Sequence, residues 1–258
     1  MTSIFGRRHF LIGSLAGLGT LGLTGCNDVA ENQKVQDVLA FAERLTMGAQ
    51  RLLVSPQALA REFTDADISP YFRPNGTSQP ESAEYARLSD GAFADWRLKI
   101  DGMVDRPMEI SLDDLKKLPS RTQITRHDCV EGWSAIGKWT GVPLGMLLQS
   151  AGLKSGARYA VFYCADELEE TLDGSGRYYE SIDLIDAFHP QTILAYSMNG
   201  QDLEVAHGAP LRLRVERHLG YKHAKYVMRI EVRDKFSDIW GGKGGFWEDR
   251  GYEWYAGI

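Results

Sequence analysis

Between Val35 and Leu59 the apolar residues Val35, Val38, Leu39, Phe41, Ala42, Leu45, Leu52, Leu53 and Leu59 recur mostly three and four apart in a polar background. This spacing predicts one or two amphipathic helices over residues 27–63. Residues 64–92 carry Pro70, the run Pro74-Asn75-Gly76 and Pro80, and predict loop. From Trp96 to Val104 apolar and polar positions alternate as in a strand. Ser111 stands before Leu112-Asp113-Asp114-Leu115 as the cap of a short helix. Further strands are predicted over 124–129, 159–164, 192–198, 211–215 and 227–233, and a helix over 143–153. Strands mixed with short helices, without regular βαβ units, predict an α+β domain. No internal repeat or low-complexity tract interrupts it.

The first residues follow a different pattern. Arg7-Arg8 precedes an apolar and small-residue run from Phe10 to Leu23, shorter than the roughly 20 residues a membrane span needs. A basic start, a short apolar stretch and small residues before a cut site describe a signal peptide. The arginine pair resembles a twin-arginine signal, and Leu23-Thr24-Gly25-Cys26 resembles a lipobox, with Cys26 the acylated first mature residue. An ordinary signal peptide and a plain thiol are the bland alternatives. The spacing of Gly17, Gly19 and Gly22 matches a dinucleotide fingerprint but has no strand before it and no helix with an acid after it, so it carries no weight. The expected organisation is a signal peptide over 1–25, a helical tether over 26–63 and one domain over 64–258.

The formal charge of −6 becomes −8 once Arg7 and Arg8 are removed. An acidic mature surface argues against a nucleic-acid partner. Beyond Cys26 only Cys129 and Cys164 remain. A single bridge between them is conceivable in an oxidising compartment, but two cysteines make no disulfide framework.

The densest chemistry lies in residues 126–134, Arg-His-Asp-Cys-Val-Glu-Gly-Trp-Ser. A thiolate is a good ligand for a soft metal, and nearby cations favour that form. Cys129 is open to three readings from these residues alone: a nucleophile with His127 as base, a metal ligand, or a buried structural residue. Zinc is disfavoured, because no CxxC or HExxH spacing supplies paired ligands.

Residues 129–134 and then 139–144, Trp-Thr-Gly-Val-Pro-Leu, resemble the metal-binding segment of the sulfite-oxidase superfamily. The resemblance is closest to the branch that contains the periplasmic methionine sulfoxide reductase catalytic subunits. It continues through 194–203, through 207–215 (His-Gly-Ala-Pro-Leu-Arg-Leu-Arg-Val), through 220–225 (Gly-Tyr-Lys-His-Ala-Lys) and through 240–248, covering roughly 65–258. It implies an α+β molybdopterin-binding domain in which Cys129 supplies the protein thiolate to molybdenum. It further implies that Asn75, Cys164, His207, Arg212, His223, Ala224 and Lys225 contact the pterin or its phosphate, the 223–225 stretch partly through its backbone. A guanidinium fork and an ammonium suit a phosphate.

The motifs are mixed between branches. Cys164 stands where the reductase branch has Thr, and a small buried apolar role is the competing reading. His207 stands where that branch has Asn. Glu131 is read as a proton donor at the site or as a surface acid, and His127 as a pocket residue or an ordinary strand residue. His218 and Lys222 are read as phosphate contacts or solvated charges, and His189 as a turn residue. The aromatic tail of Phe246, Trp247, Tyr252, Trp254 and Tyr255 is read as core packing that also walls the mouth of a site.

The implied activity is oxygen-atom transfer, reducing a sulfoxide such as methionine sulfoxide. Sulfite or small-molecule oxidation is the alternative within the enzyme class, and a cofactor-free periplasmic binding lipoprotein the alternative outside it. Because the chain has no C-x-x-C-H haem motif, electrons are expected from a membrane cytochrome b or a soluble cytochrome. The expected location is the periplasm, lipid-anchored to a membrane, as a monomer.

Overall fold

A computed structural model describes residues 32–258. The signal-like segment and Cys26 lie outside the described residues. The chain divides into two compact units, Met1–Ala49 and Gln50–Ile258. Helix α1 (Gln33–Leu53) runs through the division. On its first half Val38, Phe41 and Leu45 are all more than half exposed, three and four residues apart on one side of the helix. The helix stops short of the predicted residue 63 because Ser55 is followed by Pro56, and the residue before a proline is driven out of the helical region. Beyond it the chain runs extended, and Glu62 bridges Thr125. Among the described residues no helix is long and apolar enough to cross a membrane.

The second unit is built on two sheets. One has the order β2 (Met108–Ser111), β1 (Arg97–Gly102), β10 (Val227–Arg233), β5 (Tyr159–Glu167), β6 (Arg177–Asp183). The other has the order β3 (Arg121–Asp128), β4 (Ser134–Pro143), β7 (Ile193–Met198), β8 (Gln201–Asp202), with β9 (Arg212–Arg214) also paired to β7. Only β1 and β10 run parallel, with Ile100 opposite Ile230; the other pairs are antiparallel. Short helices α2 (Ala83–Asp90), α3 (Leu112–Lys117), α4 (Leu144–Ala151) and α5 (Leu184–Ala187) connect them. This is the expected α+β class.

Alternation sets the main core. Leu98 and Ile100 of β1, Phe162 of β5 and Ile230 and Val232 of β10 are fully buried in one cluster with Leu144, Leu147 and Leu148 of α4. A smaller cluster of Phe72, Trp139, Ile193 and Ala195 lies on the second sheet. Each such aliphatic or aromatic side chain contributes about 1.5–3 kcal/mol by leaving water.

Ser111 caps α3 as expected, its hydroxyl accepting from the Asp114 N–H at 3.1 Å. The loop expected over 64–92 contains α2, capped by Ser82, whose hydroxyl accepts from the Tyr85 N–H. The prolines end at Pro80 and leave that helix free to form. Strand β4 was not expected. Gly137 and Gly141 interrupt its pattern, yet Gly141 is required there: a Cβ would come within 2.2 Å of the Leu194 carbonyl oxygen on β7.

Candidate active site

Strand β3 delivers Cys129 to a tight turn. The Cys129 N–H donates to the Trp133 carbonyl at 2.9 Å, and the Gly132 N–H donates back to the Cys129 carbonyl at 3.1 Å. Gly132 has φ +85, a left-handed conformation that glycine adopts without steric cost. The half-buried Cys129 thiol faces a cavity of about 140 Å³ that is also lined by Asn75, Glu131, Asp166, His223 and Lys225. Tyr178, Tyr221, Leu168, Trp247 and Tyr252 complete its apolar wall. Trp247 and Tyr252 are stacked, ring centroids 5.4 Å apart, so the aromatic tail walls the cavity while Phe246 packs in the core.

The cavity is anchored from the far side by Lys225. Its ammonium donates to the carbonyls of Asn75 at 2.8 Å, Ala206 at 2.9 Å and Thr77. All three donors hold backbone in place, so Lys225 shapes the Asn75 loop rather than extending a free ammonium toward a phosphate. Burial and neighbouring Arg212 push its pKa down to about 7.

Arg212 is wholly buried. It donates to the His207 carbonyl at 2.9 Å and to Asn75 Oδ1 at 3.4 Å, lies over the Trp139 ring at 4.9 Å, and leaves Nε without a partner. Among the described residues no carboxylate stands within ion-pair distance of it. Burial and the adjacent Arg214 push its pKa down to about 9. Its neighbour Arg214, by contrast, is held by Glu216 through two bonds of 2.8 and 2.6 Å. A buried cation without an anion is costly unless a ligand supplies one.

Three histidines share this region, and each is pushed down by burial first and by the nearby arginines. Arg214 donates to His127 Nδ1 at 3.0 Å, which places the neutral ring's proton on Nε2, an unpartnered buried atom. His127 is therefore a donor, not a base. It packs so close to Gly220 that a Cβ there would lie 2.6 Å from Nε2. His223 donates from Nε2 to the His218 carbonyl at 3.0 Å, leaving Nδ1 as a buried, unpartnered acceptor. His207 Nδ1 is likewise without a partner.

Of the expected residues, Asn75, Cys129, Glu131, His223 and Lys225 meet at one cavity. Arg212 and His207 are joined to it through Asn75 and the 206–207 backbone. Ala224 is buried, with its carbonyl taken by the Leu213 N–H. His127 is not among the cavity residues; its ring packs against Phe72, Trp133 and His223. Cys164 lies in the main core and is not among the cavity residues. The cations expected to favour a Cys129 thiolate do not prevail: burial pushes the thiol's pKa up and outweighs the Glu131 backbone N–H and the Arg73 charge, which pull it down. Glu131 is exposed and accepts the Trp133 indole N–H at 2.9 Å. Lys222 is not solvated; it is buried between Glu180 and Glu248 at 2.5 and 2.6 Å. His218 pairs with Asp186 at 3.0 Å. Asp166 was not singled out by sequence, where nothing distinguishes it from the surface acids that follow it.

Among the described residues no three His, Cys, Asp or Glu side chains gather around a metal position. The buried Arg212 guanidinium, with no acid of its own and Nε unpartnered, suits an anionic cofactor. Residues 86–240 match the oxidoreductase molybdopterin-binding domain.

The chain belongs to that family. It is an oxidoreductase of the sulfite-oxidase type, and its cofactor is molybdenum held by molybdopterin. It is 37% identical, over 97% of its length and 87% of the other chain, to a putative protein-methionine-sulfoxide reductase subunit of Azospira oryzae. It is 30% identical, over 92% of its length and 73% of the other, to a protein-methionine-sulfoxide reductase catalytic subunit of Xanthomonas axonopodis pv. citri. The corresponding subunit of Pseudomonas syringae pv. tomato is 31% identical over 88% of this chain and 71% of its own.

Proposed function

We propose that this molybdopterin enzyme reduces sulfoxides, methionine sulfoxide among them, at the cavity lined by Cys129. The supporting observation is the character of that cavity. Val130, Leu168, Trp247 and Tyr252 offer an apolar and aromatic wall to the alkyl groups of a sulfoxide. Thioether-like groups pack favourably against aromatic rings. The acid at the mouth, Glu131, disfavours the sulfite dianion by like charge. The names of the relatives point to the same substrate class.

Cys129 is the proposed thiolate ligand, with Arg212 and His207 toward the phosphate and Asn75, His223, Ala224 and Lys225 shaping the pterin cradle. Cys164 supports that cradle from the core side of β5. The bound cofactor supplies the two-electron chemistry of oxygen-atom transfer. Glu131, exposed at the cavity edge, is placed to hand a proton inward from solvent. His127 Nε2–H keeps a fixed donor behind the Cys129 turn.

The enzyme is proposed to be exported to the periplasm through a twin-arginine signal and held at a membrane by acylated Cys26. Electrons would come from a membrane cytochrome b or a soluble cytochrome. The test is turnover of purified, molybdenum-loaded protein with reduced viologen and either methionine sulfoxide or dimethyl sulfoxide, beside sulfite with ferricyanide. Sulfoxide turnover at rates at least tenfold above sulfite oxidation is expected. Sulfite oxidation without sulfoxide reduction would overturn the substrate assignment.

A further inference from the structure

We propose that Lys222 and Glu248 are positioning residues that set substrate affinity, by tying together the two ends of the aromatic wall at the cavity. The inference rests on the sulfoxide reading of that cavity. Tyr221 and Trp247 both line it, and each is followed directly in the chain by one member of a buried ion pair. Lys222 Nζ lies 2.6 Å from Glu248 Oε1, and both side chains are out of solvent. Tyr252 joins the two rings. It meets Tyr221 edge-on with centroids 5.2 Å apart and stacks on Trp247 at 5.4 Å. The contacts close on themselves: from Lys222 to Glu248, along the chain to Trp247, across to Tyr252 and Tyr221, and back to Lys222.

The same ammonium lies 2.5 Å from Glu180 of β6. Tyr178, two residues earlier and so on the same strand face, is also a cavity residue and donates to the Tyr221 carbonyl. Three segments thus meet at one cation, and each supplies a ring to the wall beside its charged residue. The third segment needs the tie most. Four glycines lie between Trp240 and Phe246, and glycine gives a chain wide backbone freedom. Gly245 passes against the cluster: a Cβ there would lie 2.0 Å from Glu248 Oε2. The Phe246 N–H donates to the Tyr179 carbonyl at 3.0 Å, which fixes the chain before Trp247. Glu248 fixes it after Trp247.

Stability alone does not account for this cluster, because well-packed apolar residues often do as well in place of buried ions. What short, directional bonds add is a fixed placing of the adjacent rings. Those rings face the alkyl part of a substrate, in the ground state and the transition state alike. Interactions of that kind act on KM and leave kcat unchanged.

The test uses molybdenum-loaded full chains and compares wild type with Glu248→Met, Glu248→Gln and Tyr252→Leu. KM and kcat per bound molybdenum are measured with reduced viologen on methionine sulfoxide and on dimethyl sulfoxide, whose two methyl groups offer the wall little to hold. Glu248→Met breaks the tie but leaves Lys222 its counter-ion Glu180, so no buried charge is left bare. The expected result is a roughly tenfold rise in KM for methionine sulfoxide, with kcat and the dimethyl sulfoxide KM within about twofold of wild type. Glu248→Gln keeps an acceptor for the ammonium and should stay near wild type. Tyr252→Leu, at the exposed mouth, should show the same selective rise. If Glu248→Met does not fold, Glu248→Asp, which draws the carboxylate back from the ammonium, carries the same expectation. A lower thermal midpoint with an unchanged ratio of the two KM values would mark a purely structural pair and overturn the inference. An unchanged ratio in Tyr252→Leu would overturn it too. A wild type that reduces neither sulfoxide would overturn the sulfoxide reading and this inference together.

Discussion

In the proposed site Cys129 and Arg212 make different demands on the same cofactor, and substitution should separate them. A serine hydroxyl is far less acidic than a thiol and a harder donor. Cys129→Ser is therefore expected to keep the fold and lose turnover by at least a hundredfold, read by circular dichroism and viologen-linked reduction. Arg212→Ala removes a wholly buried guanidinium that has no acid of its own. Molybdenum content should fall severalfold while the rate per bound molybdenum stays within about threefold of wild type, the fold-changes being order-of-magnitude expectations for one charge-assisted contact. A fully loaded but inert Arg212→Ala would move that residue to the reacting centre. The motif around Cys129 was legible because it is short and local. Asp166 was not, because its distinguishing property is burial beside a cavity, and that is set by β5 meeting residues far away in the chain. The role of Lys225 was only half legible: its charge was evident, while its three backbone partners depend on the Asn75 loop folding over it.

Strand β9 illustrates how buried charge organises an element. Arg214 and Glu216 are both completely buried, and Gln123 of β3 also donates to Glu216, at 2.9 Å. Removing one partner of such a pair leaves an uncompensated charge and costs about 3–5 kcal/mol. Glu216→Ala is expected to lower the unfolding free energy from denaturant titration by that much, and to release His127, which Arg214 fixes. An unfolding free energy within about 1 kcal/mol of wild type would mean that the strand has relaxed to let water reach Arg214.

Helix α5 carries a second network, centred on Asp186. Burial works against ionisation there, but His218, Arg217 and Arg51 outweigh it and hold the pKa below the ordinary carboxylate range. A carboxylate depressed on folding stabilises the fold above its unfolded pKa, near 4, and that stabilisation is lost as pH falls below it. The wild-type thermal midpoint should therefore drop more steeply below pH 4 than that of Asp186→Asn. Parallel curves would show that the network contributes nothing. Strands β1, β5 and β10 were legible from alternation. Strand β6 was not: it is buried on both faces, and its Glu180 and Ser181 are polar. The reason Glu180 can be there is Lys222, 42 residues away in sequence.

At the scale of the whole molecule, the proposed export has to be compatible with a loaded cofactor. The proposed cradle is assembled from the 75–77 loop, the β3–β4 turn, β5 and the 207–225 stretch, segments that come together only in the folded unit. An unfolded chain cannot hold such a group, so cofactor insertion has to accompany or follow folding. A route that threads unfolded chains would separate the protein from its cofactor, whereas a twin-arginine route carries folded cargo. The sequence fits the second, with Arg7-Arg8 ahead of the apolar run and Cys26 at its end. Six residues then separate Cys26 from Gln33, where α1 begins, a span of at most about 3.3–3.6 Å per residue. Acylation would thus keep the start of that helix within reach of the bilayer surface, and more than one acyl chain is needed for stable anchoring. Replacing Arg7 and Arg8 by lysines is expected to leave folded, molybdenum-loaded protein in the cytoplasm. Cys26→Ala should yield an exported chain that takes up no labelled palmitate and washes off membranes. Normal export of the double-lysine chain with its cofactor would refute the export route. Unlabelled wild-type protein would refute the anchor while leaving the chemistry at Cys129 untouched.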